Sequence, residues 1–230
     1  VIVPILTMRV IAEERRQKTD QLLYSLPITT TQVVLGKFAA LLVVFLIPLA
    51  VISVYPLIFA QFGDVYLPTS YGSLVAVFLM GAALLAVGVF ISSLTDNQGL
   101  AAGITIAAIL FNYYSVSLSE YVSSTAIGTV IALAVLIFAL GAVIRYLTRN
   151  ELLAYGVCLV LAAVICVITF VDSASLEGLL PGIMQQLSLF DRLNTFVSGV
   201  FDLAAVVYYL SVTAFFLFLS IQSLEKRRYN

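Results

Sequence analysis

The chain has 230 residues, of which 62% are hydrophobic and 10% are charged, and its formal net charge is −1. Soluble domains carry about 25% charged residues, so this composition excludes a water-soluble protein. The net charge gives no indication of a nucleic-acid partner, and the distribution of charge along the chain is more informative.

The first eight residues, VIVPILTM, are mostly apolar. No basic region precedes them and no small-residue cleavage site follows, so the pattern is not that of a signal peptide. It predicts the end of a membrane helix that begins before Val1. We therefore expect the sequence to be N-terminally incomplete.

The next segment, residues 8–29, is unusually rich in charge. Seven of the chain's twenty-three formal charges fall within twelve residues: Arg9, Glu13, Glu14, Arg15, Arg16, Lys18 and Asp20. We predict a helix from Met8 to Leu26, which Pro27 ends because proline cannot continue the hydrogen-bond ladder. Thr29 and Gln32 have capping-box spacing, which predicts that a second helix begins there.

Six largely uncharged stretches are long enough to cross a bilayer, which takes about 20 residues. These predicted spans cover residues 33–62, 70–94, 99–118, 125–144, 152–171 and 203–223. Each must be helical, because backbone polar groups in lipid have to be satisfied within the segment. Lys37 lies near the start of the first span, where its ammonium can reach water while its stem lies in lipid.

Basic residues set the predicted orientation. If residues 8–29 are cytoplasmic, ten of the eleven basic residues lie inside and only Arg192 lies outside. This bias fits the positive-inside rule and predicts a multi-pass protein with a cytoplasmic C-terminus.

One long external segment remains, LEGLLPGIMQQLSLFDRLNTFVSGVFD at residues 176–202. Apolar residues recur in it at three- and four-residue steps: Ile183, Leu187, Phe190, Leu193, Val197 and Val200. The pattern predicts an amphipathic helix too polar to span the membrane. Such a helix could lie in the outer interface or form a lid on neighbouring helices.

Three motifs resemble ABC transporter permeases of the ABC type 2 family, close to its gliding-motility and nitrous-oxide-cluster branch. They are PILTMRVIAEERRQKTDQLLYSLPITTTQVVLGK, ISSLTDNQ and SLFDRLNTFVSGVFDLAAVVYYLSVTAFFLFLSIQSLEKRR. Lys18 stands where the family pattern has Gly, and Gln21 stands where it usually has Glu. Residues 125–171 look like an added helical hairpin, so the resemblance implies about eight helices in the full-length protein.

The resemblance implies that residues 8–29 are a coupling segment, which contacts a separate ATP-hydrolysing subunit. The residues expected to carry this role are Glu13, Glu14, Arg15, Arg16, Thr19, Leu22, Leu23 and Pro27. A simpler interpretation is that the basic residues are positive-inside anchors, but Glu13 and Glu14 contribute little to topology.

Catalytic chemistry is not expected in this chain. Gly36-Lys37 is followed by Phe38, and Thr31 stands five positions before Gly36, so the ATP-binding pattern G-x-x-x-x-G-K-[ST] fails at both ends. The sequence has no histidine, and we predict no metal or cofactor site. Asn112, Tyr113 and Tyr114 could line a substrate path, although tyrosines at this depth are often interface anchors.

Together these observations predict an all-α, polytopic transmembrane helical bundle, with one permease domain over residues 1–230. It would have six complete spans, an N-terminal helix stub, a cytoplasmic coupling helix and an external amphipathic helix. The predicted function is the permease subunit of an ATP-driven ABC exporter in the bacterial inner membrane. Its expected partners are an ATPase, a second permease and membrane lipid, and the cargo is open. The alternative is a membrane anchor or scaffold that docks a cytoplasmic enzyme without transport.

Overall fold

A computed structural model describes residues 2–19, 28–121 and 179–228, with isolated positions between 128 and 162. Every regular element in these ranges is an α-helix, and we number the helices in chain order. They are α1 (Ile2–Thr7), α2 (Ala12–Arg16), α3 (Thr30–Ile52), α4 (Tyr55–Phe59), α5 (Leu67–Leu94), α6 (Gln98–Tyr121), α7 (Leu179–Gln186), α8 (Asp191–Val197) and α9 (Leu203–Arg228). The chain divides into two units, one of Val1–Tyr113 with Leu189–Asn230 and one of Tyr114–Ser188.

Among the residues that the structure describes, four segments are long and apolar enough to cross a membrane: Thr30–Phe59, Leu67–Leu94, Gln98–Tyr121 and Leu203–Lys226. They coincide with four of the six predicted spans, and the all-α class is confirmed. The other two predicted spans, 125–144 and 152–171, and the added hairpin that they would form lie almost wholly outside the described residues.

The start of α3 follows the sequence pattern closely. The Thr29 side chain accepts a hydrogen bond from the Gln32 backbone N–H at 3.3 Å, and the Gln32 side chain accepts one from the Thr29 N–H at 3.1 Å. This is the predicted capping box, which satisfies two backbone donors at the helix start. Pro48 lies inside α3, and the regular helix is interrupted by a turn at Ser53 and Val54 before α4 begins.

Helix α5 lies at the centre of the first unit. Its buried face is built largely from small residues: Ala76, Gly81, Ala82, Ala83, Ala86 and Gly88. Small side chains allow close approach between membrane helices. At Gly88, an added Cβ would lie 2.7 Å from the Thr7 Cβ, so α1 packs directly on the α5 backbone.

Helices α5 and α9 run in the same direction. Towards their starts, the Ser73 hydroxyl in α5 donates at 3.3 Å to the carbonyl of Phe196, which lies in α8 seven residues before α9 begins. Near their last turns, the Ser223 hydroxyl donates to the Ser93 carbonyl at 3.2 Å. The end of α5 is also hydrogen-bonded to the start of α2, and α2 is paired with Lys37 in the first turns of α3. The ends of α5 and α9, the start of α3 and the whole of α2 therefore meet at one end of this unit, which we call the charged end.

The predicted amphipathic helix of residues 176–202 is wrong as a single helix, because the segment forms α7 and α8 with a break at Leu187–Phe190. Leu189 donates its backbone N–H to Asn112 Oδ1 at 2.9 Å, and its carbonyl accepts from the Tyr209 hydroxyl at 2.8 Å. Both backbone groups are thus satisfied by side chains of α6 and α9 instead of by a helical ladder.

The second part of this segment lies alongside the bundle. Tyr209 is fourteen residues before Ser223, which places it about 21 Å along α9 from the charged end. Ser73 is six residues after the start of α5, or about 9 Å along that helix. Residues 189–196 therefore lie beside the half of α5 and α9 that is remote from the charged end.

Candidate functional site at the charged end

The beginning of α2 is attached to the end of α5. The backbone N–H groups of Ile11 and Ala12 both donate to the Ser92 hydroxyl oxygen, at 3.2 and 3.1 Å. The first N–H groups of a helix have no partner within the helix, so Ser92 supplies the acceptor that they need. All three residues are buried, and this contact fixes where α2 starts.

Arg15 points from α2 into the protein. Its side chain is 3% exposed, and Nη1 lies 3.4 Å from Asp96 Oδ1 in the turn between α5 and α6. The Asp96 side chain is 66% exposed, so the pair joins a buried cation to a carboxylate at the surface. It connects two segments that are 81 positions apart in the chain.

Glu14 and Lys37 attach α2 to α3. Their side chains form an ion pair, and the Lys37 ammonium also donates to the Val10 carbonyl at 2.6 Å. Lys37 was expected to reach water from the start of the first span. It instead binds the segment that precedes α2, because a carboxylate and a carbonyl lie within reach of its long side chain.

The opposite side of α2 is open. We call Arg9, Glu13, Arg16, Gln17 and Lys18 the outward face, since four of them are exposed and Glu13 is partly exposed. Glu13 accepts a hydrogen bond from Gln17 at 3.1 Å and lies 4.0 Å from Arg9, one turn away in each direction. These contacts remain within the segment, so they leave both charge signs at the surface.

The helix predicted from Met8 to Leu26 is wrong. Met8–Ile11 form a turn, and α2 spans only Ala12–Arg16. Lys18 then has a φ of 57°, a left-handed conformation that favours glycine. The resemblance to the family implies Gly at this position, and in this chain a lysine adopts the left-handed conformation.

Thr19 closes this turn. Its backbone N–H and its hydroxyl both donate to the Glu14 carbonyl, at 2.9 and 3.2 Å. Of the other predicted coupling residues, Leu22, Leu23 and Pro27 lie outside the described residues.

A family model described as ABC-2 family transporter protein matches residues 1–144. The chain belongs to the ABC-2 transporter family. The match covers more than half of the chain and includes all of the charged end except the last turns of α9. No curated protein and no solved structure matches the chain. The predicted family is therefore confirmed, while its gliding-motility and nitrous-oxide-cluster branch stays a prediction.

Family membership makes this ABC-2 protein a membrane permease component of a transporter rather than the ATPase itself. Within the ranges that the structure describes, no group of three metal-ligating side chains is found. The arrangement at the charged end is suited to holding a helix in place and exposing one side of it.

The predicted substrate-path residues of this ABC-2 permease differ in their surroundings. Asn112 is partly buried and holds the backbone of Leu189. Tyr113 packs edge-to-face on Phe190 with ring centroids 5.2 Å apart, and both Tyr113 and Tyr114 are about half exposed. The exposed tyrosine rings keep the substrate-path prediction open, whereas Asn112 has a structural contact that the sequence did not indicate.

Sequence reasoning did not identify Ser92 and Asp96 as partners of α2. Both lie in ISSLTDNQ, one of the three motifs that resemble the family. The only signal in the sequence was that this motif resembles the family although it lies far from residues 8–29. It did not indicate which of its residues contact α2. Helical periodicity gives the face of a helix and not its long-range partner.

Proposed function

We propose that this permease is the membrane subunit of an ATP-driven exporter in the bacterial inner membrane, with the outward face of α2 as the docking surface for a separate ATPase. It would pair with a second permease, either a copy of itself or a sister subunit, and move cargo outward through their interface. The observation that carries the proposal is the two-sided environment of α2.

One side of α2 is fastened to the bundle by Ser92, Asp96 and Lys37. The other side exposes cations and a carboxylate within three turns of chain. A membrane anchor would need only the cations, because acidic residues contribute little to topology. Mixed charge on an exposed surface is suited to specific protein contacts, where complementary charges set orientation and exclude wrong partners.

The end of the bundle on which α2 lies also supports the proposal. Arg9, Arg15, Arg16, Lys18 and Lys37 all belong to the charged end, which the positive-inside rule assigns to the cytoplasm. A cytoplasmic ATPase would therefore meet α2 directly.

A charge-exchange variant tests the docking surface. Glu13→Lys with Arg16→Glu reverses both signs and leaves the net charge and the topology signal unchanged. The full-length permease is purified in detergent from its native host, and mass spectrometry quantifies the bound subunit that carries a G-x-x-x-x-G-K-[ST] loop. We expect retention of this ATPase to fall about tenfold, which corresponds to about 1.4 kcal/mol.

Asp64→Lys is the control, since Asp64 is exposed in the loop between α4 and α5, remote from the charged end. It should retain the ATPase. Normal retention by the double variant would contradict the docking surface. Recovery of a soluble enzyme without a phosphate-binding loop in place of the ATPase would favour the anchor or scaffold function.

A further inference from the structure

Glu14 and Arg15 lie in the same five-residue helix as Glu13 and Arg16 of the outward face, but their side chains make different contacts. Glu14 pairs with Lys37 in α3, and Arg15 pairs with Asp96 beyond the end of α5. Each contact joins α2 to a different membrane span. Glu13 and Glu14 are about equally exposed, at 35% and 34%, so the charges of this helix separate by their contacts. Those of Glu13 stay within the segment, whereas Glu14 and Arg15 each bind a residue in a distant part of the chain.

The length of α2 makes these inner contacts important. A helix of five residues has no stability of its own in water, since isolated helices below about 12–15 residues are marginal. Its position is therefore set by the groups that hold it. Those groups are the Ser92 hydroxyl, the Asp96 carboxylate and the Lys37 ammonium.

The energetic cost of separation also favours a firm attachment. Asp96 is exposed and would be solvated after separation, but the buried Arg15 guanidinium would lose its carboxylate, and an uncompensated buried charge is destabilising. Arg15 is almost fully buried, so α2 cannot move away from Asp96 without moving its guanidinium as well. Lys37 adds a second attachment through the Val10 carbonyl, on the α1 side of α2.

We infer that Glu14 and Arg15 are positioning residues that clamp α2 to α3 and α5, so that a displacement of α2 moves both spans together. This inference rests on the proposed function for the source of the displacement, the ATPase. It separates attachment from docking: the outward face binds the partner, and the clamp transmits its motion. Variants of the outward face should therefore weaken ATPase binding, whereas variants of the clamp should loosen α2 and leave ATPase binding in place.

The clamp is tested first in the full-length permease without its ATPase, by hydrogen exchange of the peptide that covers residues 8–16. Glu14→Lys places two cations together and should speed exchange at least threefold. Lys37→Glu should do the same by bringing two carboxylates together. The double variant Glu14→Lys with Lys37→Glu restores opposite charges and should exchange more slowly than either single variant, although it does not restore the donor to the Val10 carbonyl.

Glu13→Lys is the matched control, because it makes the same charge change at the adjacent position. The contacts of Glu13 with Arg9 and Gln17 stay within the segment, so this variant should exchange like the original protein. The clamp would be overturned if Glu14→Lys and Glu13→Lys had equal hydrogen-exchange rates. It would also be overturned if adding Lys37→Glu to Glu14→Lys did not slow hydrogen exchange again.

Transmission is tested in the purified complex with its ATPase, by comparing ATP plus orthovanadate with no nucleotide. In the original complex we expect nucleotide to change the exchange rate of α5 peptides at least threefold. Glu14→Lys should keep ATPase retention within twofold and lose that change, and the rescuing double variant should recover it. Loss of the ATPase from Glu14→Lys would instead make this residue part of the docking surface and overturn the inference.

The two proposals can fail separately. If Glu13→Lys with Arg16→Glu releases no ATPase, the docking surface fails, but the exchange rates of the permease alone still test the clamp. If the ATPase is released by that variant while Glu14→Lys behaves as the original protein in both assays, the clamp fails and the proposed function stands.

Discussion

The side chain of Asn112 holds the backbone of Leu189, with 2.9 Å between Asn112 Oδ1 and the Leu189 nitrogen. The Tyr209 hydroxyl donates to the carbonyl of the same residue. Helices α6 and α9 therefore both hold Leu189, at the point where α7 has ended and α8 has not begun. A polar residue that could have lined a substrate path has a defined role in packing.

Asn112→Ala should lower the free energy of unfolding by about 1–3 kcal/mol, because the Leu189 N–H would be left buried without its acceptor. Tyr209→Phe should lower it by about 1 kcal/mol, through loss of one buried hydrogen bond. Thermal unfolding in detergent measures both effects. Asn194→Ala is the control, since Asn194 is exposed in α8.

The same variant separates structure from substrate contact at Asn112. If Asn112→Ala unfolds like the original protein and only transport changes, the side chain acts on cargo and its contact with Leu189 contributes little. Tyr114→Ala, at a half-exposed ring in the neighbouring position, should affect transport without a comparable loss of stability if the substrate path includes it.

Gly88 provides a test of how closely α1 packs on α5. Gly88→Ala would place a Cβ 2.7 Å from the Thr7 Cβ, so one of the two helices must shift. Overpacking of this kind costs about 1–3 kcal/mol. Gly72→Ala in the same helix is the matched control, because nothing lies within 4 Å of its added Cβ. It should be neutral or stabilising by up to about 1 kcal/mol.

These two glycine variants are compared by thermal unfolding of the permease in one detergent. A Gly88→Ala protein as stable as the Gly72→Ala protein would show that α1 moves away from α5 at little cost. In that event the contact between Thr7 and Gly88 would not hold the N-terminal segment in place.

Lys18 adopts a left-handed conformation that costs a non-glycine residue about 1–2 kcal/mol. Lys18→Gly should therefore be more stable than Lys18→Ala by about 1 kcal/mol, although both remove the same charge. Thermal unfolding measures the difference. If alanine and glycine are equivalent at this position, the turn after α2 does not depend on its backbone strain.

Features local in sequence were predictable. Long apolar runs gave four spans that the structure also contains, because a membrane helix needs only length and hydropathy. The capping box at Thr29 and Gln32 was predictable for the same reason, since both partners lie within one turn. Neither prediction depends on where distant parts of the chain lie.

Long-range partners were not predictable. The periodicity of residues 8–26 suggested a long helix, but Lys18 turns the chain and Arg15 reaches a carboxylate 81 positions away. The apolar stripe predicted in residues 176–202 was also only partly correct. Phe190 and Leu193 pack on the core as the three- and four-residue steps predict, whereas Val197 and Val200 on the same stripe are 60% exposed. Val197 is the last residue of the short helix α8 and Val200 lies beyond it, so the predicted stripe is followed only as far as Leu193.

The predicted orientation can be checked with reporter tags. Tags after Arg228, at residues 95–97 and near Arg149 should report the cytoplasm, because ten of eleven basic residues then lie inside. Tags at Asp64 and Glu177 should report the exterior. An external signal near Arg149 would contradict the predicted hairpin of residues 125–171 and the count of six spans.

The buried side of α8 distinguishes the observed structure from the predicted stripe. Phe196 is off that stripe and is 2% exposed, and its carbonyl accepts from Ser73 in α5. Val197, on the stripe, points away from the core. Phe196→Ala should lower the free energy of unfolding by about 3–5 kcal/mol, because it removes a buried ring and leaves a cavity.

Val197→Ala is the matched control in the next position and should change stability by no more than about 0.5 kcal/mol. Leu193→Asp should also be destabilising, since Leu193 packs on the core one turn before Phe196. Asn194→Asp should have little effect on stability, because Asn194 is exposed. Thermal unfolding measures the stability of the four variants. We expect Phe196→Ala and Leu193→Asp to be much less stable than Val197→Ala and Asn194→Asp. A protein in which Val197→Ala is as damaging as Phe196→Ala would have the continuous amphipathic helix that the sequence pattern predicts, because only that helix buries both Val197 and Leu193 on one face.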